Sequence, residues 1–241
     1  MKKPYLSVVI PAYNEELRLP NTLKKICAFL KEQKYTSEII IVDDGSTDGT
    51  KDISLPIPSA PLTEIRLLNK KHRGKGAAIR AGTLNAQGSC ILFTDADNST
   101  PIEEINKLLS VLQNFDLAIG SRHLPESDIK IKQPWYRRVI SRLANRLIQH
   151  LLLPGIVDTQ CGFKLLRKEA AQEILPRTTV NGWSFDMELL FIARTLGYSV
   201  KEVPVTWLDS PQSRLRPIRD AFQTLMELAK IRINGWRGRY K

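Results

Sequence analysis

The fold class is indicated first by Leu6-Ser7-Val8-Val9-Ile10-Pro11-Ala12-Tyr13-Asn14-Glu15, an apolar run that becomes polar after its proline. A short apolar run of this kind, rich in β-branched residues, predicts a buried strand. A second run, Glu38-Ile39-Ile40-Ile41-Val42, leads directly into Asp43-Asp44-Gly45-Ser46. Two buried strands that both end in polar residues predict a sheet with a binding site along one edge.

Strands and helices alternate along the rest of the chain. Further strands are predicted at Ile65–Leu68, Cys90–Thr94, Asp116–Gly120 and Val200–Trp207, and helices at residues 15–33, 76–86, 135–153, 183–196 and 217–236, with another beginning near Pro101. Continuous apolar strands that alternate with helices are typical of a parallel sheet covered on both faces. We therefore predict an α/β fold with amphipathic helices towards its C-terminus.

Four polar motifs each follow a predicted strand, namely Pro11–Glu15, Asp43–Ser46, Asp95–Asp97 and Gly120–Arg122. In an open parallel sheet the carboxyl ends of the strands share one edge, and ligands bind there. The four motifs are therefore predicted to meet in one cleft.

The charge of the chain is unevenly distributed. Its 241 residues suffice for one domain, which we take as residues 1–241, and the net charge is +11. Residues 1–129 carry 16 basic and 16 acidic side chains, whereas residues 130–241 carry 20 basic and 9 acidic ones. A neutral first half and a cationic second half indicate two binding tasks, the second directed at phosphate groups, an anionic membrane or nucleic acid.

Cysteine usage and hydropathy indicate the cellular setting. Cys27, Cys90 and Cys161 are scattered and odd in number, which argues against a disulfide framework or a zinc site and fits a reducing compartment. No apolar run approaches the roughly 20 residues that span a bilayer, and the apolar segment near the N-terminus is too short for a signal-peptide core. We expect a cytoplasmic protein that is peripheral on the cytoplasmic face of a membrane.

Several polar residues of these motifs have two interpretations. Asp95 and Asp97 suit a divalent cation held against a phosphate, or a capped turn. Asp43 and Asp44 suit hydrogen bonds from a ribose or base, or the capping of a loop. His72-Arg73-Gly74-Lys75-Gly76 lacks the spacing of a P-loop. It places basic groups at a helix start, where anions are favoured, or it is a simple glycine turn into a helix.

These motifs, with Val42–Thr50, resemble family 2 glycosyltransferases of the GT-A fold, and the resemblance covers nearly the whole chain. Asp158-Thr159-Gln160-Cys161-Gly162-Phe163-Lys164 and Trp183-Ser184-Phe185-Asp186-Met187-Glu188 resemble the polyprenyl-phosphate sugar synthases, especially the dolichyl-phosphate β-glucosyltransferase branch. The resemblance implies a Rossmann-like, mostly parallel mixed sheet flanked by helices. We assign the nucleotide sugar to residues 1–129, and the acceptor and a membrane surface to residues 130–241.

The resemblance also implies a donor pocket and a metal site. The donor-binding residues would be Pro11, Tyr13, Glu15, Asp43, Asp44, Lys75, Asp95, Ala96 and Asp97. The residues that hold Mg²⁺ or Mn²⁺ would be Asp95, Asp97 and Ser99. Mannose-transferring relatives often carry Gln where this chain has Ser99, which favours UDP-glucose over GDP-mannose as the donor.

The implied reaction is inverting transfer of the sugar to a polyprenyl phosphate. A phosphate monoester, with a second pKa near 6, is largely dianionic at pH 7, so the acceptor needs no general base. The implied acceptor-phosphate residues are Arg122, Arg137, Ser141 and Arg214, whose arginines pair well with phosphate oxygens. The expected catalytic residues are Asp97, Arg122 and Asp186, although Asp186 and Glu188 also suit structural ion pairs.

The sequence also bears on other partners and functions. Trp135 and Tyr136 on a basic helix, and the tail Trp236–Lys241, predict contact with an anionic membrane. Nucleic acid is disfavoured because no stacking motif or helix-turn-helix is recognisable. Mannose or another sugar, a sugar hydroxyl as acceptor, and an inactive nucleotide-sugar-binding regulator are the alternatives. The intact Asp95–Asp97 triplet argues against the regulator.

Overall fold

The computed structural model describes residues 3–59, 61–130, 148–208 and 217–241, with the side chains of 217–222 excepted. Its strands are β1 Leu6–Ala12, β2 Ser37–Asp43, β3 Leu62–Asn69, β4 Cys90–Phe93, β5 Leu117–Ser121, β6 Asp128–Ile129, β7 Lys164–Arg167, β8 Val200–Pro204 and β9 Thr206–Trp207. Its α-helices are α1 Leu19–Lys31, α2 Lys75–Asn85, α3 Ile105–Val111, α4 Lys168–Ile174, α5 Phe185–Thr195 and α6 Pro217–Trp236. No helix in these ranges combines the length and apolar character needed to cross a bilayer.

Seven strands form one sheet in the order β3-β2-β1-β4-β7-β5-β8. β7 runs antiparallel to both β4 and β5, and every other neighbouring pair is parallel. The expected mixed, mostly parallel sheet is therefore confirmed. Because β7 comes from the second half of the chain and lies between two strands of the first, both halves contribute to one sheet.

Helices cover both faces of the sheet, because both sides of its strands are apolar. On β1, Val9 belongs to one core cluster and Val8 to the other. The Val9 cluster includes apolar side chains of α2, α4, α5 and α6, whereas the Val8 cluster includes those of α1 and α3. This double coverage explains why the strands have continuous apolar sequences rather than alternating ones.

The structure changes some predicted boundaries. The segment predicted as one strand at Val200–Trp207 is two strands, because β5 ends at Ser121 and the chain beyond Pro204 pairs with β6 instead. The first helix begins at Leu19 rather than residue 15, since Asn14 has a φ of 54° and Pro20 stands in the first turn. Of the predicted helix at residues 135–153, only 148–153 are described, and 148–151 are helical.

Candidate active site

The loops after β1 and β2 are joined by hydrogen bonds at the carboxyl edge of the sheet. The Asn14 amide donates to Ser46 Oγ at 2.9 Å, and the Thr47 amide donates to Asn14 Oδ1 at 2.8 Å. The Glu15 amide donates to Thr50 Oγ1 at 2.7 Å. These bonds bring Pro11–Glu15 and Asp43–Ser46 to one place, as the strand-end argument predicted.

Asp43 and Asp44 each organise a loop. The Asp43 carboxylate accepts from the Ser46 amide at 3.2 Å, and the Asp44 carboxylate accepts from the amides of Arg73 and Gly74 at 2.9 and 2.7 Å. Both aspartates are buried. The structure thus shows the loop-capping role. A contact of either carboxylate with the ribose or base of a nucleotide sugar stays a prediction.

Asp44 thereby fixes the start of α2, which places Lys75 in the site. Gly74 has a φ of +107°, and a Cβ on it would lie 2.4 Å from the Asn181 carbonyl oxygen, so only glycine fits there. His72 Nδ1 lies 2.8 Å from Asp44, and its ring stacks on Tyr13 with centroids 4.2 Å apart. The stacked pair forms an aromatic rim beside the predicted nucleotide pocket.

The centre of the site is a row of alternating charges. Lys75 Nζ lies 2.7 Å from Asp95 Oδ1 and 3.9 Å from Asp186 Oδ2, and Lys164 Nζ lies 2.6 Å from Asp186 Oδ1. Burial by itself lowers the pKa of Lys75, but the Asp95 and Asp186 carboxylates outweigh it and raise that pKa above its usual value. Lys75 therefore stays protonated between two carboxylates.

Trp183 lies on the rim of this row. Lys75 Nζ is 5.6 Å from the centre of its ring, a cation–π distance. Trp183 is 57% exposed, so much of this residue faces solvent beside its contact with the lysine.

Asp97 and Ser99 form a tight turn after β4. The Ser99 amide donates to Asp97 Oδ1 at 2.9 Å, and Asp97 Oδ2 lies 4.0 Å from Arg18, which also bonds Glu15. The Asp97 side chain is 23% exposed and that of Asp95 39%, so both carboxylates are open to a ligand. Ala96 is buried, and its carbonyl accepts from Thr22 at 2.7 Å, which anchors the triplet.

The two carboxylates suit Mg²⁺ or Mn²⁺, since both cations prefer oxygen ligands. In the described ranges, no three His, Cys, Asp or Glu side chains are grouped so that they could hold a metal ion. A cation at Asp95 and Asp97 could complete its oxygen ligands with the Ser99 hydroxyl, a bound phosphate or water.

Gly162 has no side chain, and the Asp95 carboxylate occupies the space where a side chain would lie. A Cβ on Gly162 would lie 2.0 Å from Asp95 Oδ2, which is far inside van der Waals contact. A side chain at this position would therefore displace one of the two candidate metal ligands.

We expect Gly162→Ala to reduce the sugar transfer that the motif resemblance implies about 10²-fold, since a displacement of about 1 Å at a reacting group has this order of effect. The measurement is kcat with saturating donor, with the thermal midpoint as the control for folding. A variant with wild-type kcat would contradict the placement of Asp95 against Gly162.

Arg122 follows β5 and is paired with Asp158. Its Nε and Nη2 donate to the two Asp158 oxygens at 2.7 and 2.8 Å, and its amide donates to Oδ2 at 2.9 Å. Burial opposes the charges of both groups, but their mutual attraction raises the pKa of Arg122 and lowers that of Asp158. The Arg122 guanidinium also lies 5.5 Å from the Trp207 ring.

Glu188 has a structural role. Its carboxylate is fully buried and accepts hydrogen bonds from the Thr179 amide and hydroxyl, the Val180 amide and the Tyr240 hydroxyl, at 2.6–2.7 Å. It therefore holds the segment before α5 and the C-terminal tail in place. Asp186, two residues earlier, belongs to the charged row of the site instead.

The remaining predicted acceptor residues, Arg137, Ser141 and Arg214, lie outside the described residues. Conversely, the sequence motifs assigned no role to four residues of the site, namely Arg18, Asp158, Gly162 and Lys164. A lysine inside an apolar stretch, as at Lys164, is the one signal that could have indicated a buried ion pair.

Comparison with known proteins identifies the family. The sequence profile of glycosyl transferase family 2 matches residues 7–175, which is more than half of the chain. The chain belongs to glycosyltransferase family 2. The expectation drawn from its motifs is thus confirmed, and so is its classification as a glycosyltransferase.

Close relatives of this glycosyltransferase are named dolichyl-phosphate β-glucosyltransferase. The protein from Dictyostelium discoideum is 38% identical over 250 residues, which are 98% of this chain and 76% of the relative. The protein from Homo sapiens is 35% identical over 250 residues, with 98% and 77% covered. The resemblance to this branch is therefore confirmed.

The fold is shared with solved GT-A structures. Glucosyl-3-phosphoglycerate synthase from Mycobacterium tuberculosis, in complex with Mn²⁺, UDP-glucose and phosphoglyceric acid, has a TM-score of 0.68 at 19% identity, with 95% of this chain and 79% of that chain covered. The same enzyme has also been solved with Mg²⁺ and UDP. At this identity the likeness shows the fold alone, and it confirms the GT-A prediction.

Proposed function

We propose that this glycosyltransferase transfers glucose from UDP-glucose to a dolichyl-type polyprenyl phosphate, with inversion at the anomeric carbon. The observation that carries the proposal is the clustering of Asp95, Asp97 and Lys75 at the strand edge, in a chain up to 38% identical to dolichyl-phosphate β-glucosyltransferases. The names of those relatives support the acceptor and the sugar.

The donor side of the site would hold the diphosphate at Asp95 and Asp97. Two carboxylates do not bind a diphosphate by themselves, so Mg²⁺ or Mn²⁺ between them would offset the charge on the leaving UDP. Ser99 orients Asp97 through its backbone amide, and its hydroxyl is a further candidate ligand. Lys75, which stays protonated beside Asp95, adds a positive charge near the same phosphates.

The acceptor side would use Arg122. A phosphate oxygen of the acceptor attacks the anomeric carbon, the bond from that carbon to the UDP oxygen breaks, and UDP leaves with the electron pair. The phosphate monoester is already largely dianionic at pH 7, so it attacks without losing a proton to the protein. Asp158 holds the Nε–Nη2 edge of the Arg122 guanidinium and so orients the remaining Nη1. Arg137, Ser141 and Arg214 stay proposed as further phosphate ligands.

Asp186 would act through Lys75. Lys164 bonds one oxygen of Asp186 at 2.6 Å, and the other oxygen lies 3.9 Å from Lys75. If a cation binds Asp95 and weakens its pairing with Lys75, Asp186 is a second carboxylate close to the lysine. We propose that Asp186 stabilises Lys75 during this exchange, rather than removing a proton from the acceptor.

The cellular site follows from the acceptor, because a polyprenyl phosphate resides in a membrane. The cationic half of the chain, with 20 basic and 9 acidic residues, supports peripheral attachment to an anionic surface. We propose the cytoplasmic face as this surface. GDP-mannose is the alternative donor.

The experiment offers UDP-glucose and GDP-mannose at equal concentrations to the full chain, with a polyprenyl phosphate and Mn²⁺. We expect radiolabel from UDP-glucose to enter the organic phase at least about 10²-fold faster, since a site built for one donor leaves polar groups unpaired with the other. Omission of the metal and addition of a chelator are the controls. Preference for GDP-mannose would overturn the choice of donor and leave the reaction class intact.

A further inference from the structure

The outer face of α6 carries a continuous apolar surface. Leu228 and Ile231 face the core with at most 6% exposure, and Asn234 donates to the Tyr240 hydroxyl at 3.2 Å. On the opposite side Leu225, Met226, Ile233 and Trp236 are 49%, 60%, 42% and 76% exposed. Exposed Ala229 lies among them. At about 100° per residue, these side chains fall within about 100° of helix circumference. We call the five residues Leu225, Met226, Ala229, Ile233 and Trp236 the α6 stripe.

Basic residues border the α6 stripe. Lys230 and Arg237 lie along one side of it and Arg232 along the other, and all three are exposed. The Arg232 guanidinium lies 5.4 Å from the Trp236 ring, so the cation and the apolar surface are in contact. Residues 223–241 contain five basic side chains and one acidic one. An apolar stripe between cations is the pattern of a helix that lies in a membrane interface.

The acidic residue, Glu227, lies away from the stripe and close to the active site. A Cβ on Gly182 would lie 3.3 Å from both Glu227 Oε1 and Gln223 Nε2, so α6 contacts the segment before α5 at this point. Trp183 follows Gly182 directly and lies against Lys75. The first described turns of α6 therefore pack against the rim of the active site, with the stripe on another side of the helix.

We propose that the α6 stripe binds the surface of an anionic lipid bilayer, which brings the active-site rim that packs against α6 to within about one helix diameter of the lipid. The inference rests on the proposed function in one respect, namely that the substrate near this surface is a polyprenyl phosphate. Binding to the surface depends only on the residues of α6 and its tail.

Charge favours a bilayer over a second copy of this chain. Two copies paired through the α6 stripe would bring Lys230, Arg232 and Arg237 of one copy near the same residues of the other, and like charges across an interface oppose association. Anionic headgroups would instead neutralise these three cations. The apolar side chains of the stripe would enter the boundary between headgroups and acyl chains.

The test is flotation of the full chain with phosphatidylcholine vesicles, with and without phosphatidylserine. Wild type is expected to float with the anionic vesicles, and raised salt should weaken this binding. The double variant Met226→Glu, Ile233→Glu should reduce the partition coefficient about 10²-fold, because it replaces two exposed apolar groups by charges that the headgroups repel. The matched control is Leu84→Glu on α2, where the wild-type leucine is 58% exposed.

Wild-type flotation of the double variant would overturn the inference, and so would an equal loss in Leu84→Glu. A wild-type dimer that becomes a monomer in the double variant, measured by light scattering, would also overturn it by showing a second copy on the stripe. Neither variant alters the buried core, and equal thermal midpoints verify that both are folded.

Activity assays separate this inference from the proposed function. The double variant should keep wild-type transfer to a short, water-soluble prenyl phosphate and lose transfer to polyprenyl phosphate in vesicles. An equal loss with both acceptors would overturn the inference. Absence of transfer in wild type with either acceptor would refute the proposed function, whereas the flotation result would stand independently.

Discussion

Replacement of Asp97 by Asn should reduce glucosyl transfer by about 10³-fold or more. The carboxylate is open to a ligand, and its charge is required to hold a divalent cation against the leaving diphosphate. Loss of several kcal/mol of such stabilisation corresponds to about three powers of ten in rate. Asn can still accept the hydrogen bond from the Ser99 amide, so the turn after β4 should stay folded.

The measurement is single-turnover transfer at saturating donor, together with Mn²⁺ titration in the presence of UDP. Asp52→Asn is the matched control, since Asp52 is exposed and distant from the β4 turn in sequence. We expect the control to transfer and bind Mn²⁺ as wild type does. Rapid turnover by the Asp97 variant would show that the cation, or the diphosphate, is held elsewhere.

The second large effect is expected from Asp158→Ala. Asp158 is fully buried and accepts three hydrogen bonds from Arg122. Its removal leaves the arginine without its partner in a largely buried position, which costs about 3–5 kcal/mol for a pair of this kind. The thermal midpoint should fall by about 10 °C for a chain of this size.

The Arg122 pair should also make stability depend on pH. The pKa of Asp158 in the folded state lies below its value near 3.9 in the unfolded chain. The pair therefore contributes fully above about pH 4, and its contribution decreases as the pH falls from there towards the folded-state pKa. Urea unfolding at pH 7 and near pH 3 measures this loss.

Asp128→Ala is the control for the stability measurement. Asp128 is exposed and pairs with Lys130, and such surface pairs contribute about 0–1 kcal/mol. An Asp158 variant as stable as this control would show that the Arg122–Asp158 pair is weaker than its geometry indicates.

The sequence predicted the parts of the fold that rest on long apolar patterns. β1 and β2 were predictable because both of their faces are buried, so nearly every residue is apolar. The bounds of α6 agree with the predicted 217–236, since Pro217 can start a helix and Gly238, with a φ of 70°, follows its end. These signals are local, and no knowledge of neighbouring elements is needed to recognise them.

β7 was missed because its signal is not local. It has only four residues, Lys164–Arg167, and begins with a lysine that is fully buried. That lysine is tolerated because Asp186, 22 residues later, pairs with it. The position of β7 between β4 and β5 depends on pairing with strands far away in sequence. No pattern within its four residues encodes that position.

The candidate site was predictable in outline only. Strand-end motifs indicated where Asp95, Asp97 and Arg122 would gather. The pairing of Arg122 with Asp158 and of Lys75 with Asp95 depends on distances between segments far apart in sequence. The capping of residues 72–74 by Asp44 is of the same kind, because it joins two loops about 30 residues apart.

The most direct test of the central claim is mass spectrometry of the lipid product formed by the full chain from UDP-glucose, Mn²⁺ and a polyprenyl phosphate. We predict a polyprenyl phosphate heavier by one hexose, with the β configuration by NMR, formed about 10³-fold more slowly with Asp97→Asn. Release of free glucose alone, or glucose attached only to a sugar hydroxyl, would contradict the account.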